Sequence, residues 1–213
     1  MERRVFRAKP LDGKMTEAVE YAKTRENTIQ TLIQNGKIFA LSLFAFEENL
    51  YLYYEMIEEI RPEEIFGDME SMLESWPEGK WTPLYEIFHF NKPQNQDQWA
   101  RKNNFVPFAT MSRIKPDLLS RYIFYHYQYQ EEYPSEEDKY GSIWMSGNLL
   151  FFYQEDPKVV EKAWYEGALT TRNTPKRPEQ WSKTMAPHFL LWDDGEIYHN
   201  ATLLFSLGGK TDE

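Results

Sequence analysis

Cysteine is absent from this 213-residue chain, which excludes disulfides, thiolate nucleophiles and cysteine-ligated metals together. No apolar run is long enough to span a bilayer as a helix. The opening Met1-Glu2-Arg3-Arg4-Val5-Phe6 also lacks the apolar core of a signal peptide. Basic residues are the scarcer charge: 24 Lys and Arg against 34 Asp and Glu leave a net charge of −10. That balance argues against a nucleic-acid backbone or an anionic membrane as partner. Gly-x-Gly-x-x-Gly, Walker and Gly-x-Ser-x-Gly patterns do not occur, so nucleotide binding and serine hydrolysis find no support. His89, His188 and His199 are scattered, and Asp193-Asp194-Gly195-Glu196 reads as a turn, so no metal site is expected. The expectation is a cytoplasmic protein working without a cofactor, as a monomer or homodimer.

What is abundant is aromatic. Hydrophobic residues at 41% and charged residues at 27% are ordinary for a globular chain, but 7 Trp, 14 Tyr and 14 Phe raise the aromatic share to 16%. Such a surplus suits an aromatic-lined cavity or a large interface. Strands simply rich in rings would account for it equally well.

One stretch has an echo. Gly147-Asn148-Leu149-Leu150-Phe151-Phe152-Tyr153-Gln154 repeats the character of Glu48-Asn49-Leu50-Tyr51-Leu52-Tyr53-Tyr54-Glu55, with Asn49 and Asn148 99 positions apart. Tyr21 and Tyr122 are 101 apart and Trp81 and Trp181 are 100 apart, in the same order along the chain. Matched offsets in matched order point to two copies of one unit.

The first copy reads as a strand over Arg4–Ala8 and an amphipathic helix over Lys14–Asn35 stopped by Gly36. A hairpin follows, Ile38–Phe46 with Leu50–Ile57, then a helix from Arg61-Pro62-Glu63-Glu64 to near Trp76 and a strand over Leu84–Phe90. After the polar stretch Asn91–Asn104, where Trp99 is expected to cap one half against the other, the pattern restarts. It predicts a strand over Phe105–Ile114, a helix over Pro116–Tyr133, and a hairpin of Tyr140–Met145 with Leu149–Gln154. A helix over Pro157–Leu169, an insert over Thr170–Glu179 and a last strand over His199–Leu207 complete it.

Both faces of Ile38–Phe46 are apolar, so a face left bare by the helices must pack on something, and the other sheet is the simplest partner. The expected fold is α+β: two ferredoxin-like βαββαβ repeats, residues 1–104 and 105–213 with an insert near 170–180. They are expected to pack sheet to sheet as an intramolecular dimeric α+β barrel.

The densest chemistry lies on the helix of the second copy. Tyr122 and His126 are four apart and share one face, with Tyr125 and Tyr129 in a neighbouring stripe. Histidine titrates near neutral pH and is a natural acid or base; a buried helical His with a purely structural role fits the same spacing. In the first copy Arg25 stands at the matching position, and arginine cannot shuttle protons.

Tyr-x-x-x-His on the first helix, a following Tyr-Pro, the Asn-Leu-Leu-Phe hairpin and Trp-x-x-x-Met together resemble the L-rhamnose mutarotases. The resemblance spans roughly residues 105–207. It implies a small βαββαβ protein that pairs as a dimer, with His126 as proton donor and Tyr122, Tyr140 and Trp181 binding a small sugar. Ser182 stands where that family has a second Trp. Trp144 is a further ring that could stack on a sugar's C–H surface. The reading that follows is a cofactor-independent mutarotase-type isomerase acting on a small carbohydrate. Two alternatives stay open: a cofactorless monooxygenase-like protein binding an aromatic molecule or haem, and a non-catalytic ligand-binding protein.

Overall fold

The computed structural model describes residues 1–132, 136–162 and 180–210. In chain order the elements are β1 (Glu2–Ala8), α1 (Met15–Thr24), α2 (Glu26–Gln34), β2 (Ile38–Phe46), β3 (Asn49–Met56), α3 (Pro62–Phe66), β4 (Thr82–Pro83), β5 (Tyr85–His89) and α4 (Gln96–Trp99). There follow β6 (Val106–Ile114), α5 (Leu119–Glu132), β7 (Glu136–Asp138), β8 (Ser142–Ser146), β9 (Leu149–Asp156), β10 (Val160–Lys162), α6 (Trp181–Met185), β11 (Phe189–Leu190) and β12 (His199–Gly208). The α+β class stands. The chain forms two compact units: Met1–Leu84 with Pro93–Pro107 and Ala201–Glu213, and Tyr85–Lys92 with Phe108–Asn200. Each unit thus takes one strand from the other half of the sequence, β12 in the first and β5 in the second.

In the first unit the strand order is β4-β1-β3-β2-β12, with β3 antiparallel to both β1 and β2, and β12 antiparallel to β2. Alternation along β3 sorts its side chains. Leu50, Leu52, Tyr54 and Met56 join Ala18, Ala22 and Ile29 of the helices in one core. Tyr51, Tyr53 and Glu55 lie on the opposite face and are equally buried. There Arg101 grips Glu55 with two hydrogen bonds of 2.6 and 2.7 Å, and the Tyr53 hydroxyl donates to the same carboxylate at 2.7 Å. Trp99, expected to cap one half against the other, lies buried in this unit with the guanidinium of Arg3 5.3 Å and that of Arg101 5.8 Å from its ring centre.

The helix expected over Lys14–Asn35 breaks at Arg25. The Thr24 hydroxyl bonds back to the Tyr21 carbonyl and competes with the helical ladder there. Its far end is as anticipated: Gly36 has φ +69°, and Gly36 and Lys37 donate to Ile33 and Leu32. The helix expected from Arg61 to Trp76 is shorter. It starts with Glu64 accepting from the Arg61 N–H at 3.0 Å, and past Phe66 the chain continues as a 3₁₀ helix over Gly67–Met72. Glycine at φ +57° breaks the α geometry.

In the second unit the order is β6-β9-β8-β5, with β11 on β6, and β8 antiparallel to β9 and β5. A two-stranded pair, β7 with β10, stands apart from that sheet. Where a helix was expected over Pro157–Leu169, Val160–Lys162 is a strand; the β-branched Val159-Val160 pair favours the extended chain. Residue 163 onward in that stretch, like the Thr170–Glu179 insert, lies outside the described residues. Among the described residues no helix is long and apolar enough to cross a membrane.

Candidate functional site

A cavity of about 230 Å³ lies within the second unit. Its floor follows from strand alternation. Ile143 pairs with Phe152 and Met145 with Leu150 across β8 and β9, so Ile143, Leu150 and Phe152 present on one face. Phe88 of β5 and Phe90 just beyond it add two rings, 4.7 Å apart and edge to face. Helix α5 contributes Tyr122, His126 and Tyr129, spaced four and three so that all three fall on one stripe. Trp181 and Met185 of α6, Phe189 of β11, Ser112 of β6 and Tyr198 complete the lining. Tyr198 is 54% exposed and so stands at the mouth.

Rings dominate the contacts inside. Trp181 meets His126 edge on at 5.0 Å and Tyr129 at 5.3 Å, while Phe88 stacks on Tyr129 at 5.6 Å. His126, only 5% exposed, places Nδ1 2.9 Å from the main-chain carbonyl of Tyr122. A carbonyl can only accept, so Nδ1 carries the proton and Nε2 keeps its lone pair. Burial pushes the imidazole pKa down to about 4; the Tyr122 carbonyl opposes this and the neighbouring His188 adds to it. At neutral pH His126 is therefore an uncharged acceptor. The Tyr122 phenol is pushed up by burial, with the nearby Tyr198 adding to the effect, and stays protonated. Among the described residues no Lys, Arg, Asp or Glu belongs to the lining.

Of the residues singled out from sequence, Tyr122, His126 and Trp181 come together here. Tyr140 and Trp144 do not line this cavity. Trp144 alternates with Ile143 and so faces the other side of β8, where its indole N–H donates to Ser142 at 2.9 Å. Tyr140 precedes β8, is 1% exposed and lies 5.4 Å from the Lys139 ammonium. Tyr125 turns from the cavity to meet His188 at 5.9 Å and accept from Arg121 at 3.2 Å.

Several cavity residues carried no signal of their own. Phe88 sits in a strand whose pairing with β8 is long-range, Phe90 lies just past its end, and Ser112 and Tyr198 have no motif around them. His188, one of the scattered histidines, is buried 6.2 Å from the Tyr122 ring with Nδ1 3.2 Å from the Met185 carbonyl. His199 instead pairs with Asp194 at 3.0 Å and stacks on Trp192 at 4.9 Å. Among the described residues no group of three or more His, Asp or Glu could hold a metal ion.

The first unit treats the matching residues differently. Trp81 is 2% exposed and stacks on Phe66 at 5.5 Å, inside a core that also takes Met69, Leu73 and Tyr54. Arg25 donates from Nε to the Ile65 carbonyl at 3.2 Å. Side chains there pack on one another where the second unit leaves space.

No family model matches the chain, and no curated protein matches it. Solved structures similar to it include two named "putative monooxygenase". The one from Lactobacillus acidophilus NCFM has a TM-score of 0.45 and 8% identity over 98% of this chain and 96% of that one. The one from Fusobacterium nucleatum subsp. nucleatum has a TM-score of 0.46 and 10% identity over 99% and 96%. A third, named as an anthrone oxidase-like protein, has a TM-score of 0.37 and 6% identity over 98% and 93%. The sugar mutarotase expectation is corrected on the cavity itself: its walls are mostly apolar rings, and His126 is uncharged at neutral pH where that reading needs a proton donor.

Proposed function

We propose that this chain is a cofactorless monooxygenase-like protein whose second unit binds a small, flat aromatic molecule. The reading is carried by one observation: a cavity of about 230 Å³ walled mostly by aromatic and aliphatic surface, with a neutral imidazole and the hydroxyls of Ser112 and three tyrosines among the described lining residues. A sugar would lose hydroxyl hydration against such walls with few partners in return, whereas an aromatic ring exchanges water for ring contacts. The same volume does not fit a haem. The names of the similar structures agree, but the reading rests on the cavity.

The chemistry needs only dioxygen as co-reactant. A hydroxyarene whose O–H donates to His126 Nε2 becomes richer in electrons as that proton is drawn off. Dioxygen then takes four electrons. One oxygen atom enters the ring carbon as C=O while the C–H and O–H hydrogens leave with the other as water. For a naphthol the product is a naphthoquinone, and the atoms balance without a reductant. An oxygen electrode tests this with a panel of hydroxylated naphthalenes. Uptake above the protein-free rate, lost in His126→Phe, supports turnover. Saturable binding without uptake leaves a ligand-binding protein, and neither binding nor uptake removes the reading.

We also propose that the units are diverged copies of one ferredoxin-like βαββαβ unit, with one working site in the second. Support comes from the hairpins. Ser42 pairs with Tyr53 and Ser142 with Tyr153, and Tyr53 donates to Glu55 as Tyr153 does to Glu155. That correspondence runs at 100 residues, one more than the Asn49–Asn148 echo suggests.

A further inference from the structure

The cavity in the second unit has polar groups of opposite hydrogen-bonding character side by side. His126 Nε2 can only accept, because Nδ1 is committed to the Tyr122 carbonyl at 2.9 Å. The neighbouring Tyr122 phenol supplies a donor, and the two ring centres are 4.1 Å apart. Both side chains are at least nine-tenths buried, at 5% and 4% exposure. Among the described residues no charged side chain lines the cavity, and the chain as a whole carries −10. An anion entering it would shed its water and meet no countercharge, a cost that excludes it. An arene without a hydroxyl would enter but leave the His126 acceptor unpaired. The volume of about 230 Å³ falls below the roughly 300–1,000 Å³ of drug-sized pockets, which limits the occupant to one or two fused rings.

We propose that this cavity selects an uncharged one- or two-ring hydroxyarene, its O–H donating to His126 Nε2, over the same arene without the hydroxyl and over an aryl carboxylate. The inference rests on the aromatic-ligand reading above and adds what that reading leaves open, the preference for the neutral hydroxyarene over the bare arene and over an anion. His126 acts here as the specificity-determining residue. Burial, which keeps its imidazole uncharged, keeps it an acceptor through the neutral pH range.

Anaerobic titrations of the full chain with 2-naphthol, naphthalene and 2-naphthoate at pH 7.5, followed by tryptophan fluorescence, test it. The naphthol is expected to bind about tenfold more tightly than naphthalene, as one hydrogen bond predicts, and the carboxylate at least tenfold more weakly than the naphthol. In His126→Phe the advantage of the naphthol over naphthalene should vanish while naphthalene still binds. A second measurement needs no variant: raising pH through the naphthol's own ionisation should weaken its binding and leave naphthalene unchanged. Equal binding of naphthol and naphthalene by the native chain, or tight binding of the carboxylate, overturns the selectivity while the aromatic-ligand reading survives. If none of the three binds, that reading falls and the selectivity falls with it.

Discussion

His126 donates from Nδ1 to the carbonyl of Tyr122 one helical turn earlier, at 2.9 Å, and the two rings lie with centres 4.1 Å apart. This contact fixes the tautomer and turns a residue that sequence offers as an acid or base into a neutral acceptor. It also ties the His126 ring to the backbone that carries Tyr122, so that the imidazole is held in place relative to that turn of the helix.

The depressed pKa of His126 has a consequence for stability. Unfolded, the imidazole takes a proton near pH 6.5; folded, it does so only near pH 4. Between those values the unfolded chain binds more protons, so the native state loses stability as pH falls through that window. The contribution is on the order of 3 kcal/mol at most. His126→Phe should flatten the dependence of the urea midpoint on pH between 6.5 and 4. An unchanged slope would contradict the assigned environment.

The Glu55–Arg101 pair should behave as a buried ion pair that is costly to break on one side only. Burial by itself would raise the Glu55 pKa. The charge of Arg101 and its hydrogen bonds, with those from Trp99 and Tyr53, outweigh that and leave it lowered. Its stabilising contribution is therefore present above the ordinary carboxylate range and disappears as pH falls through the lower folded pKa. Arg101→Met strands the carboxylate and should cost about 3–5 kcal/mol, whereas adding Glu55→Leu to it should recover part of the loss. Chemical denaturation of both variants measures this; a double variant no more stable than Arg101→Met would count against it.

Trp81 and Trp181 should separate stability from binding. Trp81→Ala removes a buried ring stacked on Phe66 and should destabilise the first unit by about 3–5 kcal/mol while naphthol affinity stays put. Trp181→Ala removes a cavity wall that touches His126 and Tyr129 and should weaken naphthol binding about tenfold with a smaller fall in melting temperature. The reverse pattern would place the ligand site in the other unit.

Gly208 should tolerate no side chain. Its φ is +79°, and a Cβ built on it would stand 2.3 Å from the Phe39 carbonyl oxygen. Gly208→Ala should destabilise by at least about 1–3 kcal/mol, read from the urea midpoint, because both the conformation and the space are wrong for alanine. A neutral substitution would mean that β12 is held differently at its end.

Local patterns alone determined several things about this protein. The i, i+4 spacing of Tyr122 and His126 put them on one helix face, and Asn35-Gly36 marked a helix end. Turn chemistry placed both hairpins within a residue or two, because all of these depend on neighbours in the chain. Tertiary structure alone decided which sheet each remaining strand joined. Tyr85–His89 reads as the last strand of the first copy, yet pairs with Ser142–Ser146; nothing within five residues can encode a partner more than fifty away. It also decided which face of β8 looked into the cavity, sending Ile143 in and Trp144 out. Finally, tertiary packing settled that Trp181 borders open space while Trp81, its counterpart in sequence, is buried against Phe66. The residue types are alike at the two places. The difference is one of volume, set by how many side chains from distant elements converge on each, and a linear pattern does not carry that sum.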